Sequence, residues 1–171
     1  MATREADVVV GKVHRLRNFA FYRAGWRDRH LVRDGPFWTA AVNNFLDIGV
    51  LEWCKLFGDQ KDPHFWGKIV ADQNGFEAGL YSELKVTDSE FVRFRDGMRA
   101  YRNRFVAHLD SELTMRIPQL DLAVHSTSYY HSAIVAEAGA EVLTGMPLDA
   151  NDFYRACSRV ARDVYASGQT T

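Results

Sequence analysis

The sequence predicts an all-α protein, a single-domain helical bundle of about five to six helices. Apolar residues recur at intervals of three and four over long stretches, and no useful length alternates between polar and apolar residues as a strand would. With 171 residues, 47% of them hydrophobic and 25% charged, the chain has the size and composition of one ordinary globular domain. We therefore expect one domain over residues 1–171, with frayed ends at about residues 1–4 and 167–171. The few prolines divide it into helices, since each stands at a plausible helix start: Pro36, Pro63, Pro118 and Pro147.

The first two helices are predicted from the apolar pattern before and after Pro36. The first covers about residues 4–33 and has a single apolar face. The second covers about residues 37–57 and has little polar surface, as expected for a helix central to a bundle. Its apolar residues are Trp38, Ala41, Phe45, Ile48, Leu51 and Trp53. The later helices are predicted shortly after Pro63, at about residues 76–84, from residue 87 or 88 onward, at about 120–144 and at about 152–166.

The helix that begins at Thr87 or Asp88 carries a narrow apolar seam. Glu90 follows these residues at a spacing close to that of a capping box. Aromatic residues and one methionine then recur at the three-and-four intervals of a coiled coil, at Phe91, Phe94, Met98, Tyr101 and Phe105. This regularity predicts a homodimer that packs the seam of one chain against its copy, through Phe94, Met98, Tyr101 and Phe105.

The charge, the cysteine content and the apolar pattern argue against a generally basic nucleic-acid-binding protein, a disulfide-stabilised secreted protein and a membrane protein. The 21 Lys and Arg residues against 22 Asp and Glu give a formal net charge of −1, so any polyanion site must be a local patch. Cys54 and Cys157 lie far apart and suit reduced, buried thiols. No signal-peptide pattern or membrane-length apolar run is present, so we expect a cytoplasmic protein without membrane contact. The histidines share no ligand spacing, and we assign neither a metal site nor a cofactor.

Residues 102–108, "RNRFVAH", concentrate the reactive side chains of the chain. On an ideal α-helix Arg102 and His108 are about 120° apart, too far for both to grip one phosphate. Two arrangements would give a joint site. Either the helix distorts near its end, or the seam packs against a second copy and brings Arg102 of one chain toward His108 of the other.

The stretch resembles the signature of the HEPN superfamily, in which an Arg, usually followed by a polar residue, precedes a His with four to six residues between them. Arg102, Asn103 and His108 match it with five intervening residues. The extended form "YRNRFVAHLD" looks like HEPN proteins associated with abortive infection, and "GPFWTAAVNNFLDIGVLEWCKLF" is similar to their aromatic-led second helix. The likeness covers roughly residues 30–125 in pattern, and only the ten-residue motif is specific.

The resemblance implies a small, often dimeric helical bundle that acts as a metal-independent endoribonuclease, in a toxin-antitoxin pair or as a phage-defence effector. It implies Arg102, Asn103 and His108 as catalytic residues and RNA as the partner, with a cognate antitoxin as a further one. The residue types suit this chemistry, because an imidazole exchanges protons near neutral pH and a guanidinium pairs with two phosphate oxygens. Arg104, Arg99 and Arg95 are the candidate RNA- or phosphate-binding residues.

Several alternatives stay open at the level of sequence. Arg104 stands four residues before His108 and competes with Arg102 for the role of active arginine. His108 also suits a helix C-terminus, where a cation contributes about 0.3–1 kcal/mol, and the arginine row suits a solvated face. The alternative function is a catalytically inactive HEPN-like module that binds another protein or a nucleotide.

Overall fold

The computed structural model describes the backbone of residues 2–28, 30, 32, 34–106, 117–138 and 149–167. Side chains are described for 15–28, 30, 32, 34–104, 117–137 and 149–167. Within these ranges the regular structure is entirely helical, which confirms the predicted all-α class. The α-helices are α1 (Ala2–Arg27), α2 (Pro36–Trp53), α3 (Trp66–Ile69), α4 (Gln73–Leu84), α5 (Asp88–Tyr101), α6 (Leu120–Ala138) and α7 (Ala150–Ser167). Two short π-helical segments follow α2 and α5: the first π-turn (Cys54–Gly58) and the second π-turn (Arg102–Val106).

The described part of the chain contains seven α-helices, against a predicted total of about five to six, and the short helix expected after Pro63 is the single turn α3. The first helix ends at Arg27, earlier than the predicted residue 33. The predicted second helix is α-helical only to Trp53 and continues as the first π-turn. No described helix has the length and apolar character needed to cross a bilayer.

Local sequence signals set the helix starts. Pro36 occupies the first turn of α2 after Gly35, whose φ of 137° is accessible to glycine and strained for other residues. Thr87 is the N-cap of α5, and the capping box is complete. The Glu90 backbone N–H donates to Thr87 Oγ1 at 3.3 Å, while the Thr87 N–H donates to Glu90 Oε2 at 2.8 Å.

Trp53 is the centre of the aromatic core, where α2, α5 and α6 meet. Its indole Nε1 donates to Ser126 Oγ on α6 at 3.0 Å. Its ring stacks on Phe57 with the centroids 5.1 Å apart and meets Phe94 of α5 edge-on at 5.0 Å. The residue is fully buried, so the helices that carry the candidate site are fixed to one another at this point.

The apolar seam of α5, which the sequence predicts as a homodimer interface, faces this core of the same chain, and homodimerisation itself stays a prediction. Met98 and Tyr101 are only 0% and 3% exposed within the single chain, and Phe94 packs against Trp53. The Tyr101 hydroxyl donates to Asp47 Oδ1 on α2 at 2.7 Å. Phe105, the last residue of the predicted seam, has its side chain outside the described set. A regular apolar stripe of this kind can pack against another part of the same chain as well as against a second chain. Here it packs against α2 and the first π-turn of the same chain.

Candidate functional site

The motif begins in a distorted stretch of helix. The second π-turn starts at Arg102, directly after α5, and runs to Val106. In a π-turn each backbone N–H pairs with the carbonyl five residues back, so the turn is wider than an α-helical one. Residues 102–106 therefore depart from the ideal α-helical geometry on which the angle of about 120° between Arg102 and His108 is based. The distortion that the sequence offered as one alternative is present at these residues.

Arg102 and Asn103, which are adjacent in sequence, are joined by a side-chain hydrogen bond within this turn. The Arg102 Nε–H donates to Asn103 Oδ1 at 3.1 Å. This bond uses one edge of the guanidinium, whereas the terminal Nη atoms carry four further N–H groups that suit two phosphate oxygens. Arg102 is half-buried, while Asn103 and Arg104 are exposed. The pair is thus partly held by the protein and partly open to solvent.

The first π-turn packs against α5 one turn before the motif. A methyl group built on Gly58 would lie 3.2 Å from Arg99 Cγ and 3.4 Å from Cys54 Sγ, which places the Arg99 stem directly against this turn. Burial raises the pKa of the Cys54 thiol to about 11, although the nearby guanidiniums of Arg102 and Arg99 lower it. The thiol is therefore neutral near pH 7 and is not an activated nucleophile.

Arg95 and Arg99 lie on α5, two turns and one turn before the motif, respectively. Asp96 of the same helix lies between them, with its Oδ1 4.0 Å from Arg95 Nε and 3.8 Å from Arg99 Nη1. Their side chains are 31% and 47% exposed. Such loose pairs in solvent stabilise little, and one carboxylate offsets only one of two positive charges. Arg95 and Arg99 together therefore retain a net positive charge, which extends the positive surface of the motif along α5.

His108 lies outside the described residues, as do its neighbours in 107–116. The candidate catalytic set is therefore described for Arg102 and Asn103, and the role of His108 stays a prediction. Among the residues that the structure does describe, no three His, Cys, Asp or Glu side chains cluster as metal ligands.

Sequence reasoning missed a second group of arginines, which lies between α1 and α7. A cavity of about 280 Å³ there is lined by five of them, Arg23, Arg27, Arg155, Arg159 and Arg162. Within each helix the spacing of three or four places these residues on one face, a signal visible in the sequence. Only the packing of α1 on α7 brings the two faces together, across more than a hundred residues of chain.

Comparison of the chain with protein-family models, with curated proteins and with solved structures finds no match.

Proposed function

We propose that the chain is a metal-independent endoribonuclease of the HEPN type, acting as a toxin or phage-defence effector, with Arg102, Asn103 and His108 as catalytic residues. The observation that carries the proposal is the hydrogen bond from Arg102 Nε to Asn103 Oδ1 in an exposed π-turn. It leaves the paired N–H groups of the guanidinium available to a phosphate. π-turns inside helices are rare and occur frequently at functional sites.

The reaction is cleavage of RNA by its own 2′-hydroxyl. A base takes the 2′-OH proton, the 2′-oxygen bonds to phosphorus, and the P–O5′ bond breaks as the departing oxygen receives a proton. His108 serves as the base or the acid, because an imidazole is present in both protonation states near neutral pH. Arg102 stabilises the negative charge that develops on the phosphorus oxygens, and Asn103 holds Arg102 in orientation.

One His108 supplies only one of the two proton-transfer groups. A homodimer would supply a second His108 across its two-fold axis, and this part of the proposal requires a surface other than the buried seam. Arg104, which is exposed, together with Arg99 and Arg95 would bind the RNA backbone beside the scissile phosphate.

The test is cleavage of a defined single-stranded RNA by the purified chain in the presence of EDTA. We expect cleavage to persist, with products that end in 2′,3′-cyclic or 3′-phosphate and begin with 5′-hydroxyl. His108→Ala and Arg102→Ala should each lower the rate by about 10²-fold or more, since general acid–base and electrostatic catalysis each contribute on that scale. Asn103→Ala should lower it less.

Arg93→Ala is the matched control, because Arg93 is an exposed arginine on α5 outside the motif. It should cleave at the rate of the unaltered chain. Abolition of cleavage by EDTA, or an unchanged rate in folded His108→Ala, would contradict the proposal.

A further inference from the structure

The cavity between α1 and α7 is a concave surface lined mainly by arginines. Its wall carries the guanidiniums of Arg23, Arg27, Arg155, Arg159 and Arg162, beside the half-buried Tyr154. No residue of α5 or the second π-turn lines it. It is therefore separate from the proposed catalytic residues and does not depend on the proposed function.

Three of the five arginines have a carboxylate partner. Arg23 Nη1 lies 2.5 Å from Asp121 Oδ1, and Arg162 Nε lies 3.0 Å from Asp28 Oδ2. Arg155 pairs with Asp152 one turn earlier on α7. Across the described residues, Arg27 and Arg159 make no ion pair with an acidic side chain. The cavity thus keeps two positive charges that no described carboxylate offsets.

The size and charge of the cavity limit what it can bind. Pockets for drug-sized ligands span about 300–1,000 Å³, so a cavity of about 280 Å³ suits one small group of a ligand. Metal cations are excluded by the arginines. A planar guanidinium pairs with two phosphate oxygens at once, which makes arginine the preferred residue for phosphate recognition. A terminal phosphate carries a charge of about −1.5 to −2 near pH 7, which matches the two uncompensated arginines better than the single charge of a phosphodiester.

We propose that this arginine-lined cavity binds a terminal phosphate monoester, with Arg27 and Arg159 as its principal ligands. Two sources carry that group: a free nucleotide and the phosphorylated end of an RNA strand. Both would present a dianion to the same guanidiniums, while a continuous RNA backbone would not.

Calorimetric titration of the full chain with AMP and with adenosine at low salt tests the proposal. AMP should bind and adenosine should not, and binding of AMP should weaken between pH 7 and pH 5 because the phosphate gains a proton near pH 6. Arg27→Gln and Arg159→Gln should each weaken binding of AMP about tenfold or more. Both side chains are exposed, so the melting temperature of each variant should stay unchanged.

Arg93→Gln is the control for a general loss of positive charge, since it removes one exposed arginine from α5. It should leave AMP binding intact. Equal binding of AMP and adenosine, an equal effect of the control and the two cavity variants, or absence of binding by both AMP and the 5′-phosphorylated oligonucleotide described below would overturn the proposal.

A 2′-O-methyl tetranucleotide with or without a 5′-phosphate distinguishes the two sources. This probe cannot be cleaved by 2′-OH attack, so the result is independent of ribonuclease activity. Tighter binding of the phosphorylated form identifies an RNA end as a ligand, and binding of AMP alone identifies a free nucleotide; each supports the cavity as a terminal-phosphate site. Equal binding of both oligonucleotides that is weakened by Arg159→Gln would mean a backbone site and would contradict the proposal.

Discussion

The two π-turns share a pattern of backbone hydrogen bonds but lie in opposite surroundings. In the first, Leu56 and Phe57 are 0% and 1% exposed, whereas in the second Asn103 and Arg104 are exposed. The same local geometry therefore serves packing in one place and leaves polar groups open to solvent in the other. A π-turn by itself does not mark a functional site; the side chains that it directs toward solvent do.

The buried turn supports the exposed one. Trp53 immediately precedes the first π-turn and contacts Phe94 of α5. Gly58 of the first π-turn packs against the Arg99 stem one turn before the motif. We therefore expect changes in or beside the first π-turn to alter stability, and changes in the second to alter chemistry.

The largest expected effect is on the seam that joins the two regions. Met98→Asp places a carboxylate at a fully buried position and should destabilise the fold by about 4 kcal/mol or more, because the charge has no partner there. Urea unfolding followed by circular dichroism measures this. Gly97→Asp is the control, since a Cβ atom built at Gly97 has open space around it outside its own helix backbone. If Met98→Asp left the free energy of unfolding unchanged and abolished only dimerisation, the seam would be a dimer interface and this prediction would be contradicted.

A smaller effect concerns the thiol of the first π-turn. Burial raises the pKa of the Cys54 thiol from its ordinary value of 9.0 to about 11. The folded state therefore favours the protonated thiol, and this contribution to the free energy of unfolding is complete below pH 9 and is lost as pH rises toward 11. Between these values the unfolding free energy should fall by about 2 kcal/mol more in the unaltered chain than in Cys54→Ala. Chemical denaturation at several pH values measures the difference. Parallel pH profiles would show that the thiol does not titrate in this way.

The smallest effect is expected at Arg104, the exposed arginine of the second π-turn. Arg104→Ala should weaken RNA binding a few-fold and make the salt dependence of the affinity shallower by about 0.7, the amount for one contact to single-stranded phosphate. The cleavage rate at saturating RNA should stay nearly unchanged. If Arg104→Ala lowered the cleavage rate as much as Arg102→Ala, Arg104 would be an active arginine and the assignment of that role to Arg102 alone would be contradicted.

The sequence predicted features that depend on neighbours along the chain. The all-α class, the start of α2 at Pro36 and a cap at Thr87 or Asp88 follow from short-range patterns, and the structure confirms all three, with Thr87 as the cap. Ile48, expected on an almost wholly apolar helix at the centre of the bundle, is 44% exposed, because the buried stripe of α2 runs through Val42, Leu46 and Val50.

Features that depend on tertiary packing were not predictable in the same way. The spacing of Phe94, Met98 and Tyr101 indicated an apolar stripe but not whether its partner was the same chain or a copy. A shift of the hydrogen-bond ladder by one residue, as at Arg102, leaves no clear trace in apolar periodicity. The arginines of α1 and α7 each look like a solvated face until the two helices are packed together.

The most direct test of the division between the two π-turns compares Arg102→Ala with Leu56→Ala, with both unfolding free energy and RNA cleavage in EDTA measured for each variant. Leu56→Ala should lose about 2–5 kcal/mol of stability, as buried leucines do, while the fraction that remains folded cleaves at nearly the original rate. Arg102→Ala should keep its stability within about 1 kcal/mol and lose cleavage by about 10²-fold or more. A stable Arg102→Ala chain with undiminished cleavage would contradict the account.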